Sequence, residues 1–169
     1  KTPIQNTAMT NLDSFLTVRS ILYGEVNGLG IACTHLTATL SDPVYNGEYE
    51  SYGAENAAQV DALIEYTETQ TGNRPAVIAG DFNNGPAVGT DIVAALPDNF
   101  ARFEAAGWSD VSVDSGEALC TWCSDNGLLS ESTQNRMLDH VIVKGAQSSG
   151  YVRLFDERIE IEGADGETL

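Results

Sequence analysis

The sequence has 169 residues, which is the length of one domain rather than two. Hydrophobic residues make up 42% of it, enough for a sizeable core, so general disorder is excluded. The 8 Lys and Arg residues form no run, and against 25 Asp and Glu residues they leave a formal net charge of −17. This balance excludes a broad basic surface for nucleic acid and a polybasic cluster for anionic lipid. No apolar run approaches the ~20 residues that a membrane-spanning helix needs.

In chain order, the first half of the sequence predicts a hairpin followed by a long loop. Residues 1–15 are polar and predicted to be irregular. The β-prone segments 20–26 and 29–33 flank Asn27-Gly28, which is typical of a two-residue hairpin turn. Residues 36–53 have no apolar period and are predicted to form a surface loop of functional length. Tyrosines of this loop either form an aromatic wall for a ligand or pack within the loop; they are Tyr45, Tyr49 and Tyr52.

The second half predicts alternating helices and strands. Apolar positions at helical spacing indicate an amphipathic helix from residue 55 to about residue 72. The continuous apolar runs 76–79 and 137–143 are typical of buried strands. The other predicted elements are short helices at residues 91–96 and 98–106 and strands at residues 151–155 and 158–161. This alternation predicts an α/β (α+β) domain with a mixed sheet.

The three cysteines indicate the redox environment of the protein and therefore its cellular compartment. Cys120 and Cys123 lie in the segment Cys-Thr-Trp-Cys, which lacks the two further ligands of a zinc site. The polar residues after it indicate a loop, not the helix of a thioredoxin-type redox site. We therefore predict a Cys120–Cys123 disulfide in an exported protein, secreted or periplasmic; two reduced loop thiols are the alternative. Cys33, in an apolar stretch, is predicted to be a buried free thiol.

Side chains able to act on a charged group follow three of the apolar strands. His35 and His140 are the 2 histidines of the chain, and each lies at or near a strand end. Asp81 and Asn83 follow the strand at 76–79, and Asp139 precedes His140. A carboxylate beside a carboxamide can hold a hard cation or orient a water molecule. Polar groups gathered at neighbouring strand ends are a common way to build an active site on a sheet.

The order of these patterns resembles the endonuclease/exonuclease/phosphatase superfamily. The patterns are Thr-His-Leu, then a helix, then a strand running into Gly-Asp-Phe-Asn, then Arg-Met-Leu-Asp-His. The resemblance covers the chain from about Arg19 to its end. It implies a two-sheet α/β sandwich of the deoxyribonuclease-like type and a divalent-metal-dependent phosphoester hydrolase.

The resemblance implies a role for each matching residue. His35 would contact the scissile phosphate, as an acid or as a cationic stabiliser of the transition state. Asp81 and Asn83 would orient the attacking water, hold a non-bridging oxygen and bind a metal ion. Asp139 would orient a catalytic histidine from elsewhere in the domain by accepting its N–H.

Two further residues are candidates for substrate binding. Arg19 is expected to face the phosphate, with a structural salt bridge as the alternative. His140 stands where many members of the superfamily have Tyr, so we expect it to support the residues that touch substrate without contacting the substrate itself. The implied ion is Mg²⁺, because oxygen ligands dominate and no thiolate site is present; Mn²⁺ or Ca²⁺ could substitute.

The resemblance also implies that residues 1–169 are part of a domain. The superfamily's N-terminal half, with an Asn and a metal-binding Glu, and its final Ser-Asp-His segment have no match here. We therefore expect an uncovered apolar sheet face, an inactive fragment and, as a partner, the rest of the domain, either in the same polypeptide or as a separate chain. The substrate would be a nucleic acid, a lipid head group or a small phosphodiester, and the net charge favours the smaller ones. The alternative is a non-catalytic binding or structural member of the same fold.

Overall fold

In a computed structural model, residues 2–114, 120–125 and 133–149 are described, and their strands form one six-stranded mixed sheet. The strands are β1 (Gln5–Leu12), β2 (Arg19–Val26), β3 (Leu29–His35), β4 (Ala76–Asp81), β5 (Ser109–Asp110) and β6 (Asp139–Lys144). The helices are α1 (Tyr52–Thr71), α2 (Pro97–Ala105) and α3 (Val111–Asp114). The strand order is β1-β2-β3-β4-β6-β5, which confirms the predicted α/β class. In the described part of the chain, no helix has the length and hydropathy needed to cross a membrane.

The connections explain the mixture of strand directions. β2 and β3 form the predicted antiparallel hairpin, with Asn27 and Gly28 at φ values of 53° and 80° as a two-residue turn requires. β3 and β4 are parallel, and α1 is the crossover between them. β6 returns antiparallel to β4. The carboxyl ends of β3 and β4 therefore lie beside the start of β6.

Helix α1 covers one face of the sheet. It begins at a cap, where the Ser51 side chain accepts from the Ala54 N–H, and it ends at Gly72 with a φ of 60°. Val60 and Leu63 are fully buried in the core. They share that core with alternate strand residues and with aromatic residues that follow β4 in the chain: Ile21, Tyr23, Ala32, Ile78, Ile142, Phe82, Phe103 and Trp108. The core thus lies between α1, α2 and one side of the sheet.

The opposite face of the sheet is apolar and open. Cross-strand pairing joins Met9, Leu22, Cys33, Ala79 and Val141 into one row across five strands. Met9 is 64% exposed, Leu22 54% and Val141 41%. We call this surface the outer face. Large side chains in a sheet normally pack against a second layer, and in the described residues this row has none.

Three predictions about local structure were wrong. The N-terminal segment includes β1, because its backbone pairs with β2 although its sequence is polar. Residues 91–96 form isolated bridges instead of a helix, since Ile92 and Ala95 bond to Val88 and Gly85. Cys33 is exposed, because strand alternation turns Ala32 and not its neighbour toward the core. The predicted strands at residues 151–155 and 158–161 lie outside the described residues.

Candidate active site at the ends of β3, β4 and β6

Strand register brings three of the predicted residues into one row. His35 on β3 is opposite Asp81 on β4, and Asp81 is opposite Asp139 on β6. The His35 Nε2 atom lies 3.3 Å from Asp81 Oδ2. Because side chains alternate along a strand, this row lies on the outer face, two residues beyond Cys33, Ala79 and Val141. An imidazole and two carboxylates therefore meet at the edge of the uncovered apolar surface.

The segment Gly-Asp-Phe-Asn makes a tight turn directly after β4. At Gly80 the φ is +151°, and a Cβ there would lie 1.9 Å from the Thr34 carbonyl oxygen, so only glycine fits. Phe82 is fully buried and stacks on Phe103. Asn83, with a φ of 51°, gives its backbone N–H to Asp81 Oδ1 at 2.9 Å. Burial of the phenyl ring thus fixes the polar residues on either side of it.

Asn83 also ties the turn to the end of β3. Its Nδ2 donates to the Leu36 carbonyl oxygen at 2.8 Å. Among the described residues its Oδ1 accepts no hydrogen bond. The side chain is therefore held in place through its amide nitrogen, while its oxygen remains available for a cation or a water molecule.

The electrostatics at Asp81 favour a bound cation. Partial burial, together with the charge of Asp139, raises the pKa of the Asp81 carboxyl above its usual value. The Asn83 backbone N–H, His35 and Arg19 act in the opposite direction and lower that pKa. Two carboxylates on opposed positions of adjacent strands repel each other, so positive charge placed between them would stabilise both.

Arg19 begins β2 at the same end of the sheet and has no carboxylate partner within 4.0 Å among the described residues. It interacts with Asp81 electrostatically, and its Nε is buried without a hydrogen-bond acceptor. A buried N–H without an acceptor is unfavourable unless a ligand or water supplies one. The alternative, a structural salt bridge of Arg19, is therefore absent among the described residues.

His140 lies behind the row, inside the core. It is 2% exposed; its Nδ1 is 2.6 Å from Asp110 Oδ2 and its Nε2 is 2.9 Å from the Asn84 carbonyl oxygen. Burial raises the pKa of Asp110, but hydrogen bonds from His140 and Ser112 outweigh it and hold that pKa below its usual value. The ring cannot reach a substrate on the outer face, because neighbouring strand residues point to opposite faces. It braces the strand that carries Asp139.

Sequence reasoning missed the polar network beneath the turn. Asn56 on α1 is fully buried and its Nδ2 donates to the carbonyl oxygens of Thr37 and Phe82. Asn84 Nδ2 donates in turn to Asn56 Oδ1 at 2.8 Å. The network links α1 to the loops after β3 and β4. A polar residue on the buried face of an amphipathic helix was the one available signal for it.

The predicted tyrosine wall and the predicted disulfide have different outcomes. Tyr45 and Tyr52 pack on each other and on Phe15, and Tyr52 is buried, so these two rings pack within the loop. Cys120 and Cys123 are joined in a disulfide, as predicted.

A cleft of about 440 Å³ opens beside Asn83. Its polar and aromatic lining comes from Asn83, Thr39, Arg136 and Trp122, and the remaining lining residues are Ala and Leu. Backbone hydrogen bonds of 2.8 and 3.0 Å tie Trp122, in the disulfide loop, to Arg136. The cleft was not predicted, because it forms between segments distant in the sequence.

Comparison with known proteins places this arrangement among solved structures. No family model matches the sequence, and no curated protein matches it. A 3′-5′ exonuclease (NExo) from Neisseria meningitidis is similar at a TM-score of 0.60 and 18% identity, over 84% of this chain and 59% of that one. Truncated TDP2 from Caenorhabditis elegans has a TM-score of 0.53 and 17% identity, over 86% and 54%. A mannosyl-6-phosphatase from Bacteroides thetaiotaomicron has a TM-score of 0.54 and 13% identity, over 86% and 54%.

The chain has the fold of the endonuclease/exonuclease/phosphatase superfamily. It spans between 54% and 59% of the length of these three structures. Of these three structures, one is named as a 3′-5′ exonuclease and one as a mannosyl-6-phosphatase.

The donor set at the strand ends fits a hard divalent cation. Asp81, Asp139 and the Asn83 Oδ1 are oxygen donors, and Mg²⁺ prefers oxygen. The described residues contain no group of three or more His, Cys, Asp or Glu that could by itself hold a metal ion. A cation here would therefore need donors from substrate, from water or from outside the described residues.

Proposed function

We propose that this chain is the central and C-terminal part of a divalent-metal-dependent phosphodiesterase. The single observation that carries the proposal is the row of His35, Asp81 and Asp139 across three adjacent strands, with His35 Nε2 at 3.3 Å from Asp81 Oδ2. Arg19, whose buried Nε has no acceptor, supports it at the same end of the sheet. The fold shared with nucleases and a phosphatase supports the reaction class.

Each side chain has a role that follows from its chemistry. Hydrolysis of a phosphodiester requires in-line attack by water, stabilisation of charge on the non-bridging oxygens and stabilisation of the leaving oxygen. Asp81 and Asn83 orient the water and offer the oxygen ligands for Mg²⁺, which supplies charge neutralisation when bound. His35, whose side chain is 56% exposed, donates a hydrogen bond or a proton to the phosphate. Arg19 gives the phosphate a guanidinium partner.

The outer face supports the proposal that residues 1–169 form a partial domain. Asp139 is exposed at its edge, and we propose that it accepts the N–H of a histidine supplied by the covering layer. That layer would be the second sheet of the sandwich, from the same polypeptide or from a separate chain. His140 contributes by bracing β6, and the disulfide favours a secreted or periplasmic protein.

The charge of the chain narrows the substrate class. A net charge of −17 repels a long nucleic-acid backbone, which carries one charge per ~1.7 Å of duplex. We therefore propose a small phosphodiester, a lipid head group or a short single-stranded nucleic acid as substrate.

The test is hydrolysis of bis(p-nitrophenyl) phosphate by the full-length protein that contains this sequence. We expect turnover that EDTA abolishes and Mg²⁺ restores. His35→Ala and Asp81→Asn should each lower kcat by roughly 10²–10⁴-fold, the size of the effects seen for proton-transfer and oxyanion-stabilising groups. Asp61→Asn is the matched control, because Asp61 is exposed and its carboxylate pairs with Arg102. Turnover that is insensitive to EDTA, or unchanged by both site substitutions, would contradict the proposal.

A second candidate is a binding module without catalysis. The absence of a three-ligand metal cluster within the described ranges favours it. Saturable binding of a phosphodiester by the full-length protein, with no metal-dependent turnover, would decide for this alternative.

A further inference from the structure

Two arginines near the site differ from the other cations of the described chain. The described residues include five Lys and Arg residues, which are Arg19, Arg74, Arg102, Arg136 and Lys144. Three of them bind a carboxylate: Arg74 pairs with Glu25, Arg102 with Asp61 and Lys144 with Glu68. Arg19 and Arg136 do not. Within the described part of the chain these are the two guanidinium groups that pair with no carboxylate, although the sequence has 25 acidic residues.

Both exceptions share a second property. The Nε atoms of Arg19 and Arg136 are buried and have no hydrogen-bond acceptor among the described residues. Arg136 gives one hydrogen bond from its Nη2 to Gln134 Oε1 at 3.0 Å, and no other side-chain hydrogen bond joins its guanidinium to the described residues. A guanidinium fork of this kind matches the paired oxygens of a phosphate or carboxylate.

The cleft beside Asn83 places Arg136 next to the proposed site but outside the row of His35, Asp81 and Asp139. None of the described residues that line it is Asp or Glu, although acidic residues are abundant in the chain. Its volume of about 440 Å³ is ample for a group the size of a nucleoside or a sugar phosphate. Trp122, which is 42% exposed, adds an aromatic surface to its wall.

We propose that this cleft binds a second anionic group of the substrate, with Arg136 as its cationic partner. The substrate would then carry at least two anionic groups, of which the scissile phosphate lies at the Arg19 end and the other in the cleft. Arg136 is thereby a specificity-determining residue rather than a catalytic one. This inference rests on the proposed function, because it treats the bound molecule as a substrate. The existence of an anion site in the cleft does not depend on that function.

The kinetic test uses two substrates that differ by one phosphate. These are the p-nitrophenyl ester of thymidine 5′-phosphate and the same ester with a 3′-phosphate, hydrolysed by the full-length protein. We expect the 3′-phosphate to lower KM by about tenfold, with a similar kcat. Arg136→Met should remove that advantage, while Arg136→Lys should retain part of it because it keeps the charge. Arg102→Met is the matched control and should retain all of it.

An equilibrium measurement separates failure of this inference from failure of the proposed function. Binding of thymidine 3′,5′-bisphosphate and of thymidine 5′-phosphate is followed by tryptophan fluorescence in the same variants. If neither ester is hydrolysed, a roughly tenfold preference for the bisphosphate that Arg136→Met abolishes still supports the anion site. The inference is overturned if the wild-type protein shows no preference, if Arg136→Met keeps it, or if Arg102→Met loses it equally.

Discussion

At the scale of single residues, the turn after β4 is built with very little space. A Cβ on Gly80 would lie 1.9 Å from the Thr34 carbonyl oxygen, and a Cβ on Gly85 would lie 2.1 Å from the Met137 carbonyl oxygen. These contacts draw β3, β4 and β6 together at the end where His35, Asp81 and Asp139 meet. The two glycines set the spacing of the site without taking part in its chemistry.

Gly80→Ala should therefore destabilise the protein strongly. The added methyl group meets backbone, which cannot move aside, and the φ of +151° is strained for any side chain. We expect a loss of about 4 kcal/mol in the free energy of unfolding, measured by urea denaturation. Gly89→Ala is the control for conformational strain alone, since its φ is +59° with nothing within 4 Å, and it should cost about 1–2 kcal/mol. Equal losses in the two variants would refute the steric explanation.

A second residue-scale feature is the buried carboxylate of Glu25. Arg74 and Asn6 donate hydrogen bonds to it, and these lower the pKa of Glu25 from 4.5 to about 2. Because the folded-state pKa is the lower one, the stabilisation is complete above pH 4.5 and is lost as the pH falls toward 2.

Glu25→Gln should flatten the pH dependence of stability in that window. The wild-type protein is expected to lose stability more steeply than the variant between pH 4.5 and 2, as measured by urea unfolding at a series of pH values. Asp61→Asn serves as the control, because Asp61 is an exposed partner of Arg102. A wild-type slope identical to that of Glu25→Gln would contradict the assignment.

At the scale of elements, the sheet has two unequal faces. Helices α1 and α2 and the aromatic residues Phe82 and Trp108 cover one, while the outer face presents Leu22 and Val141 to solvent. The proposed site lies at the edge of the outer face, because His35 and Asp139 share strand parity with that surface. Whatever covers the face would also border the site.

Leu22→Thr tests whether the outer face is covered in the full-length protein. Threonine keeps the strand propensity but removes apolar volume, so the substitution should cost about 2 kcal/mol or more if a second layer packs on Leu22. A solvent-exposed position would lose less than ~0.5 kcal/mol. Val44→Thr is the control, since Val44 is 81% exposed in a loop. Urea unfolding of both variants gives the comparison, and a loss at Leu22 no larger than at Val44 would refute the covered face.

At the scale of the whole molecule, the net charge of −17 acts against any anionic substrate. Local groups must overcome this repulsion, and the cations that carry no ion pair in the described chain, Arg19 and Arg136, both lie near the proposed site. Repulsion between distant charges is screened over a Debye length of ~8 Å at physiological ionic strength, whereas contact pairs are screened much less.

Added salt should therefore help this protein bind an anionic substrate. With Mg²⁺ held saturating, raising the ionic strength from 0.01 to about 0.15 M is expected to lower KM for bis(p-nitrophenyl) phosphate roughly twofold or more at unchanged kcat. At a substrate site dominated by surface cations, added salt instead raises KM. An increase of KM with salt in steady-state kinetics would contradict this account of the charge.

The sequence by itself determined the elements and the chemistry at their ends. Asn27-Gly28 specified the hairpin, apolar runs specified β4 and β6, and the spacing of Asp81 and Asn83 marked a polar turn, because these signals are local along the chain. It failed for β1, whose polar sequence becomes a strand only because β2 is beside it.

Only the tertiary structure decided which residues face one another. Strand register aligned His35, Asp81 and Asp139. The alternation of side chains along each strand placed His140 in the core and Cys33 outside it. The partnership of His140 with Asp110 and the cleft beside Asn83 have no local signal, because each depends on segments that the sheet brings together from far along the chain. Local sequence patterns determine which residue types stand at each strand end, and long-range packing determines which residues of other segments they contact.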